Sequence, residues 1–140
     1  MHMSHQHPFS FRSILAAAGL ACAAFAPLAH ATTPAELLSG YTAQAGQPAV
    51  PARGQQLFNT RQGQEWTCGS CHGALPTQTG KHASTGKPIG ALAPAFNPQR
   101  FTDAAKVEKW FRRNCNDVMA RECSAAEKAN VLSWLMTLKP

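Results

Sequence analysis

Cys68-Gly69-Ser70-Cys71-His72 is the stretch on which the reading of the whole chain turns. A Cys-x-x-Cys pair followed at once by His is the attachment pattern of a c-type haem. Two thiols separated by two residues reach the two vinyl groups of one macrocycle and become thioethers. The adjoining imidazole then lies under the iron as its proximal ligand. The pentad therefore predicts one covalent haem c, attached through Cys68 and Cys71 and ligated by His72. A plain dithiol redox site has no need of that histidine.

Two competing readings fail on the surrounding residues. Trp66-Thr67-Cys68-Gly69-Ser70-Cys71 is a little like a thioredoxin active site, but that fold needs strands rich in β-branched residues. Past residue 31 the chain holds Ile89 and the scattered Val50, Val107, Val118 and Val131, from which no sheet can be read. A zinc site would call for a second Cys-x-x-Cys or a closely spaced His pair, and past residue 31 the sequence has neither.

The chain has 140 residues. A polar start ends at Arg12, an apolar run follows from Ser13 to Leu28, and Ala29-His30-Ala31 offers an A-x-A cleavage site. This predicts a signal peptide over residues 1–31 and one cytochrome domain over 32–140. The run is short and Ala-rich for a membrane span, and an uncleaved N-terminal anchor is the alternative. Cys22 sits in a poor lipoprotein signal, because the apolar run continues past it. The address expected is the periplasm.

Export fits the five cysteines. Cys22 leaves with the leader and the pentad takes two, so Cys115 and Cys123 remain as a pair that an oxidising compartment would join. Lys and Arg number 13 against 7 acidic residues, a formal charge of +6. That modest positive balance fits an acidic protein partner through steering, and equally a plain solvated surface. It does not point to nucleic acid, since the compartment is wrong and no basic-aromatic platform is present.

Helix signals recur along the chain. Thr33-Pro34-Ala35-Glu36 can form a capping box, with Leu37, Leu38 and Tyr41 as the apolar stripe behind it. A second helix is expected from Ala52 to about Thr60, with Gly54 one turn before Phe58 on a face that another helix can approach closely. Gly69 to Pro98 reads as a loop wrapping a haem edge, anchored by Ile89, Leu92 and Phe96. Without a haem to pack on, so long an irregular stretch would be suspect. Thr102-Asp103 opens a third helix with Val107, Trp110, Phe111 and Asn114 on one face. Ser124-Ala125-Ala126-Glu127 opens a fourth. The expected fold is all-α, a small class I-like cytochrome c.

The ligand on the second face of the iron sets the chemistry. Met136 belongs to the last helix and reads as core. His82, in Gly80-Lys81-His82-Ala83-Ser84, reads as a solvated loop residue. Met119 follows the pentad at a plausible distance, and spacing alone favours it. Asn114 shares the apolar face of Trp110 and Phe111. A buried amide without partners costs about 1–3 kcal/mol, which an iron ion would offset. A helix C-terminal cap is its structural alternative. A Cys115–Cys123 bridge, worth about 2–3 kcal/mol, would fix the backbone beside Asn114.

From Thr33 onward the chain resembles the SHP-type monohaem cytochromes c (sphaeroides haem protein). The likeness rests on Pro34 to Tyr41, Arg53 to Phe58, Cys68 to Gly73, Thr85 to Ile89, Leu92 to Pro94 and Asn97 to Asp103. It continues through Val107 to Trp110, Arg113 to Asn116 and Arg121 to Cys123. The resemblance implies a high-spin ferric haem with His72 and Asn114 as ligands. It also implies release of Asn114 on reduction, which opens a site for diatomic ligands such as oxygen or nitric oxide. The electron partners it implies are a dihaem cytochrome c and a membrane b-type cytochrome. Met119 is the departure, as a thioether able to compete with Asn114. Two other functions stand beside this one: an ordinary His/Met carrier, and a terminal reductase of oxygen or a nitrogen oxide, against which the lack of an obvious acid or base besides His82 weighs.

Overall fold

The computed structural model describes residues 31–140. Residues 1–30 of the expected leader lie outside them. Helices α1 (Pro34–Ala45), α2 (Pro51–Asn59), α3 (Cys68–His72), α4 (Ala104–Met119) and α5 (Ala125–Thr137) form the body. A single two-residue ladder, β1 (Gly80–Lys81) with β2 (Pro88–Ile89), is the whole sheet among the described residues. No described helix is long and apolar enough to cross a membrane.

The helix ends follow local chemistry. Thr33 Oγ1 accepts from the Glu36 N–H at 3.2 Å, and Glu36 answers by accepting from the Thr33 N–H at 2.8 Å. Ser124 and Glu127 repeat that box at the start of α5. Helix α2 begins one residue earlier than expected, because Pro51 takes the first helical position, where a missing N–H costs nothing. Its cap comes from elsewhere in the chain: the Val50 N–H donates to Asn130 Oδ1 of α5 at 2.7 Å.

Helix α5 is the central element. It packs on both α1 and α2 and buries Ala129 and the run Val131 to Leu135. Phe58 and Trp134 meet with ring centroids 5.0 Å apart, and both are almost fully buried. The stripe expected on α1 buries Tyr41, with Leu37 and Leu38 packed at its side.

Helix α4 is held differently, by side chains that reach to α1 and α5 rather than by close backbone packing. Tyr41 donates to Glu108 at 2.5 Å, Lys128 donates to the same carboxylate at 2.7 Å, and Tyr41 meets Phe111 edge-on at 5.9 Å. The Cys115–Cys123 disulfide, anticipated from the leftover pair, joins the last turns of α4 to the approach to α5.

The segment expected to be one long loop has more order than its composition gives away. Its first residues belong to α3, where Thr67 and Ser70 form a third capping box. The ladder sets Gly80 opposite Ile89 and Lys81 opposite Pro88. Of the three expected anchors, Ile89 and Leu92 turn inward. Phe96 does not. It is 37% exposed, and Pro76 and Ala93 are the residues buried instead. Nearby Phe101 keeps a left-handed backbone, φ +61°, because its side chain is held in the core.

Candidate haem site

Because α4 stands off from α2 and α5, a cavity of about 610 Å³ lies between them, within the range of about 300–1,000 Å³ usual for cofactor sites. Cys68, Cys71 and His72 line it from α3. Val107, Trp110, Phe111 and Asn114, the face expected for α4, line it as a set. Leu57, Phe58 and Val131 close it from α2 and α5, and Ile89 and Leu92 from the loop.

The pentad is fixed by its neighbours. The loop crosses α3 at Gly80 so closely that a β-carbon there would lie 2.2 Å from the Cys71 carbonyl oxygen. The Ala83 N–H donates to Cys71 Sγ at 3.3 Å, and Phe58 faces the His72 ring at 6.1 Å. Burial pushes the Cys68 thiol up to about 11. Burial first, and then the charge of Arg100, push His72 down to about 4. The imidazole is thus neutral at ordinary pH, the form that ligates a metal.

The structure places the residues singled out from the sequence. Cys68 and Cys71 are the free cysteines of the described residues, and both face the cavity. Among those residues no group of three or more Cys, His, Asp or Glu gathers. Asn114 is not a helix cap: α4 runs on to Met119 and is capped by Ala120. No hydrogen bond from its side-chain amide to another described residue is formed. Met119 is 9% exposed and lines the same cavity, packed near Cys68. Met136 packs on the main core, away from the cavity.

His82 differs from its expectation. It is half-buried and lines the cavity, and its Nδ1 accepts from the Thr85 N–H at 3.3 Å. A backbone N–H can only donate, so the neutral ring carries its proton on Nε2. Arg100 was not anticipated at all. It reaches the cavity from the loop, and only the fold brings it near His72.

The residues present fit a covalent haem. The cavity is deep and mostly apolar, two unpaired thiols and a neutral imidazole share one wall, and a polar fringe of Arg100, His82 and Ser84 can meet carboxylates.

Comparison with known proteins agrees. A family model described as a domain of unknown function, DUF1924, matches residues 44–135. The cytochrome c-type protein SHP of Cereibacter sphaeroides is 51% identical over 112 residues, 77% of this chain and 86% of that protein. Cytochrome c'' of Methylophilus methylotrophus is 40% identical over 136 residues, 90% of this chain and 94% of that one. Among solved structures, oxidized SHP, described as an oxygen binding cytochrome c, superposes with a TM-score of 0.73. It shares 47% identity and covers 77% of this chain and 99% of its own. Oxidized cytochrome c'' gives 0.68 at 38% identity, covering 76% and 95%. A c-type cytochrome carries haem c, and one pentad provides for one such group. Sequence identity over most of the chain and a shared all-α architecture place the chain in the family of SHP-type cytochromes c.

Proposed function

We propose that this chain is an exported electron carrier that also binds a small diatomic ligand, with the periplasm as its compartment. Cys68 and Cys71 would hold the haem through thioethers and His72 would ligate its iron. Asn114, in the lining of the same cavity, would be the second ligand in the ferric state. When bound, the haem supplies one-electron chemistry and, where an axial position is free, a place for a diatomic molecule. The observation that carries the reading is the pairing of Asn114 with the pentad around one cavity, with its amide unclaimed by the protein.

The protein's part follows from donor chemistry. An amide oxygen is a hard, neutral donor, better suited to the ferric than to the softer ferrous ion. With a haem bound, Asn114 would suit the oxidised state better than the reduced one. The bridge at Cys115 fixes the backbone next to it and leaves the side chain free to rotate. The cavity walls, chiefly Trp110, Phe111 and Val107, keep the ligand position apolar. A dihaem cytochrome c and a membrane b-type cytochrome are the electron partners this reading implies.

Met119 supports a second reading, an ordinary His/Met carrier, because it is buried in the lining of the same cavity. Absorption spectra of Asn114→Ala and Met119→Ala separate the two. On the first reading the wild type is high-spin when ferric and binds carbon monoxide rapidly when ferrous, and only Asn114→Ala changes the ferric spectrum. A low-spin spectrum abolished by Met119→Ala would establish the second.

A further inference from the structure

Arg100 is a charged side chain turned into a cofactor cavity, and its surroundings do not account for the charge. Its Nε donates to the Ala91 carbonyl at 2.9 Å and its Nη2 to the Gly90 carbonyl at 2.7 Å. Asn97 binds the same Ala91 carbonyl at 3.2 Å and accepts from the Arg100 N–H, so side chain and backbone are both pinned. These bonds use one edge of the guanidinium. Nη1 and the second N–H of Nη2 form the other edge, a parallel pair of donors shaped for a carboxylate. Among the described residues no Asp or Glu pairs with Arg100. Asp117 is the acidic residue in the cavity lining, and it is exposed on the far part of α4. A partly buried cation that lacks a protein anion costs free energy unless something else supplies the charge. A haem brings two propionate carboxylates.

We propose that Arg100 is the anchor for a haem propionate, a fork that fixes the orientation of the group in the cavity and raises its reduction potential. This rests on the haem reading above. The potential follows from Coulomb's law: neutralising a propionate removes negative charge that would otherwise favour the ferric state, and Arg100 lines the same cavity as His72. Arg113, also in the lining, is a poor substitute. It is exposed and lies over the Trp110 ring at 5.6 Å.

The test compares purified holoprotein carrying Arg100→Gln, Arg100→Lys and, as a control, Arg113→Gln. Covalent haem is first confirmed by mass in each protein. Absence of haem from the wild type would defeat the haem reading itself, and is distinguishable from any result on Arg100. Two signals are then read: the ferrous-to-ferric ratio at a fixed applied potential, and the propionate bending band of the resonance Raman spectrum. Arg100→Gln should lower the ratio about tenfold, about 59 mV for one electron, and move the band. Arg100→Lys keeps the charge without the fork, so it should move the band and lower the ratio less. Should Arg100→Gln fail to mature, the band of Arg100→Lys decides alone. Wild-type band and ratio in the Arg100 variants, or a band that moves only in Arg113→Gln, would overturn the proposal.

Discussion

Gly54 of α2 lies against the backbone of Asn130 in α5 so closely that a β-carbon on it would stand 2.0 Å from the Asn130 carbonyl oxygen. The obstacle is backbone, which cannot swing aside. The same approach lets Asn130 cap α2 through Val50 and brings Phe58 against Trp134. Gly54→Ala should therefore destabilise the protein by about 3 kcal/mol or more, the upper range for overpacking. Urea midpoints of the holoprotein measure it. A variant as stable as the wild type would mean that α2 and α5 do not cross this closely.

The bridge between Cys115 and Cys123 closes a short loop. In the chain-entropy model such a loop contributes about 2.5 kcal/mol. The double variant Cys115→Ser, Cys123→Ser should lose about that much while keeping its covalent haem. Thiol labelling of the unfolded, unreduced wild type should find no free cysteine.

Each thiol of the pentad should carry half of the attachment. Cys68→Ala or Cys71→Ala alone should leave haem on the protein through the remaining thioether, with a shifted absorption band. The double variant should release its haem into acidified solvent. Haem that stays with the double variant would show that attachment lies elsewhere.

Stability should fall with acid in a way traceable to Glu127. Its carboxylate is held below the usual value, first by the forked hydrogen bonds from Arg121 at 2.7 and 2.8 Å and also by the Ser124 N–H. A carboxyl whose folded pKa is lowered contributes stability above the ordinary value of about 4.3, and that contribution is lost as the pH drops through the folded pKa. Glu127→Gln should be less stable than the wild type near neutral pH. The two should converge as the pH falls below the folded pKa of Glu127. Parallel curves across that range would remove Glu127 from the account.

Much of the helical frame is legible because its signals are local. Thr33 with Glu36, and Ser124 with Glu127, announce helix starts within four residues, and the structure has both boxes. The pentad and the leftover cysteine pair are likewise readable from spacing. Other features depend on distant groups. The five residues of α3 include Gly69 and would not hold a helix alone; Thr67, Ser70 and the loop crossing at Gly80 keep it. The end of α4 was hidden because the left-handed cap is Ala120, where Gly or Asn would have been the usual signal. That concealment left Asn114 open to a capping role it does not have. Arg100 faces the cavity because the carbonyls of Ala91 and Gly90, nine and ten residues earlier, hold it there, and His82 lines it with its ring tied to the Thr85 N–H. No periodicity encodes such contacts.

The two sides of the cavity are built to different strengths. On one side α1, α4 and α5 converge on Lys128, whose ammonium is shared by the Glu108 carboxylate and the faces of Tyr41 and Phe111. On the other, the stretch from Gly73 to Phe101 is held by a two-residue ladder and a few pinned carbonyls. Local opening follows the weaker connections. Amide protons of the loop should thus exchange with solvent by sub-global openings that leave the helices intact. Such openings would give small molecules a way to the interior on that side without unfolding the protein.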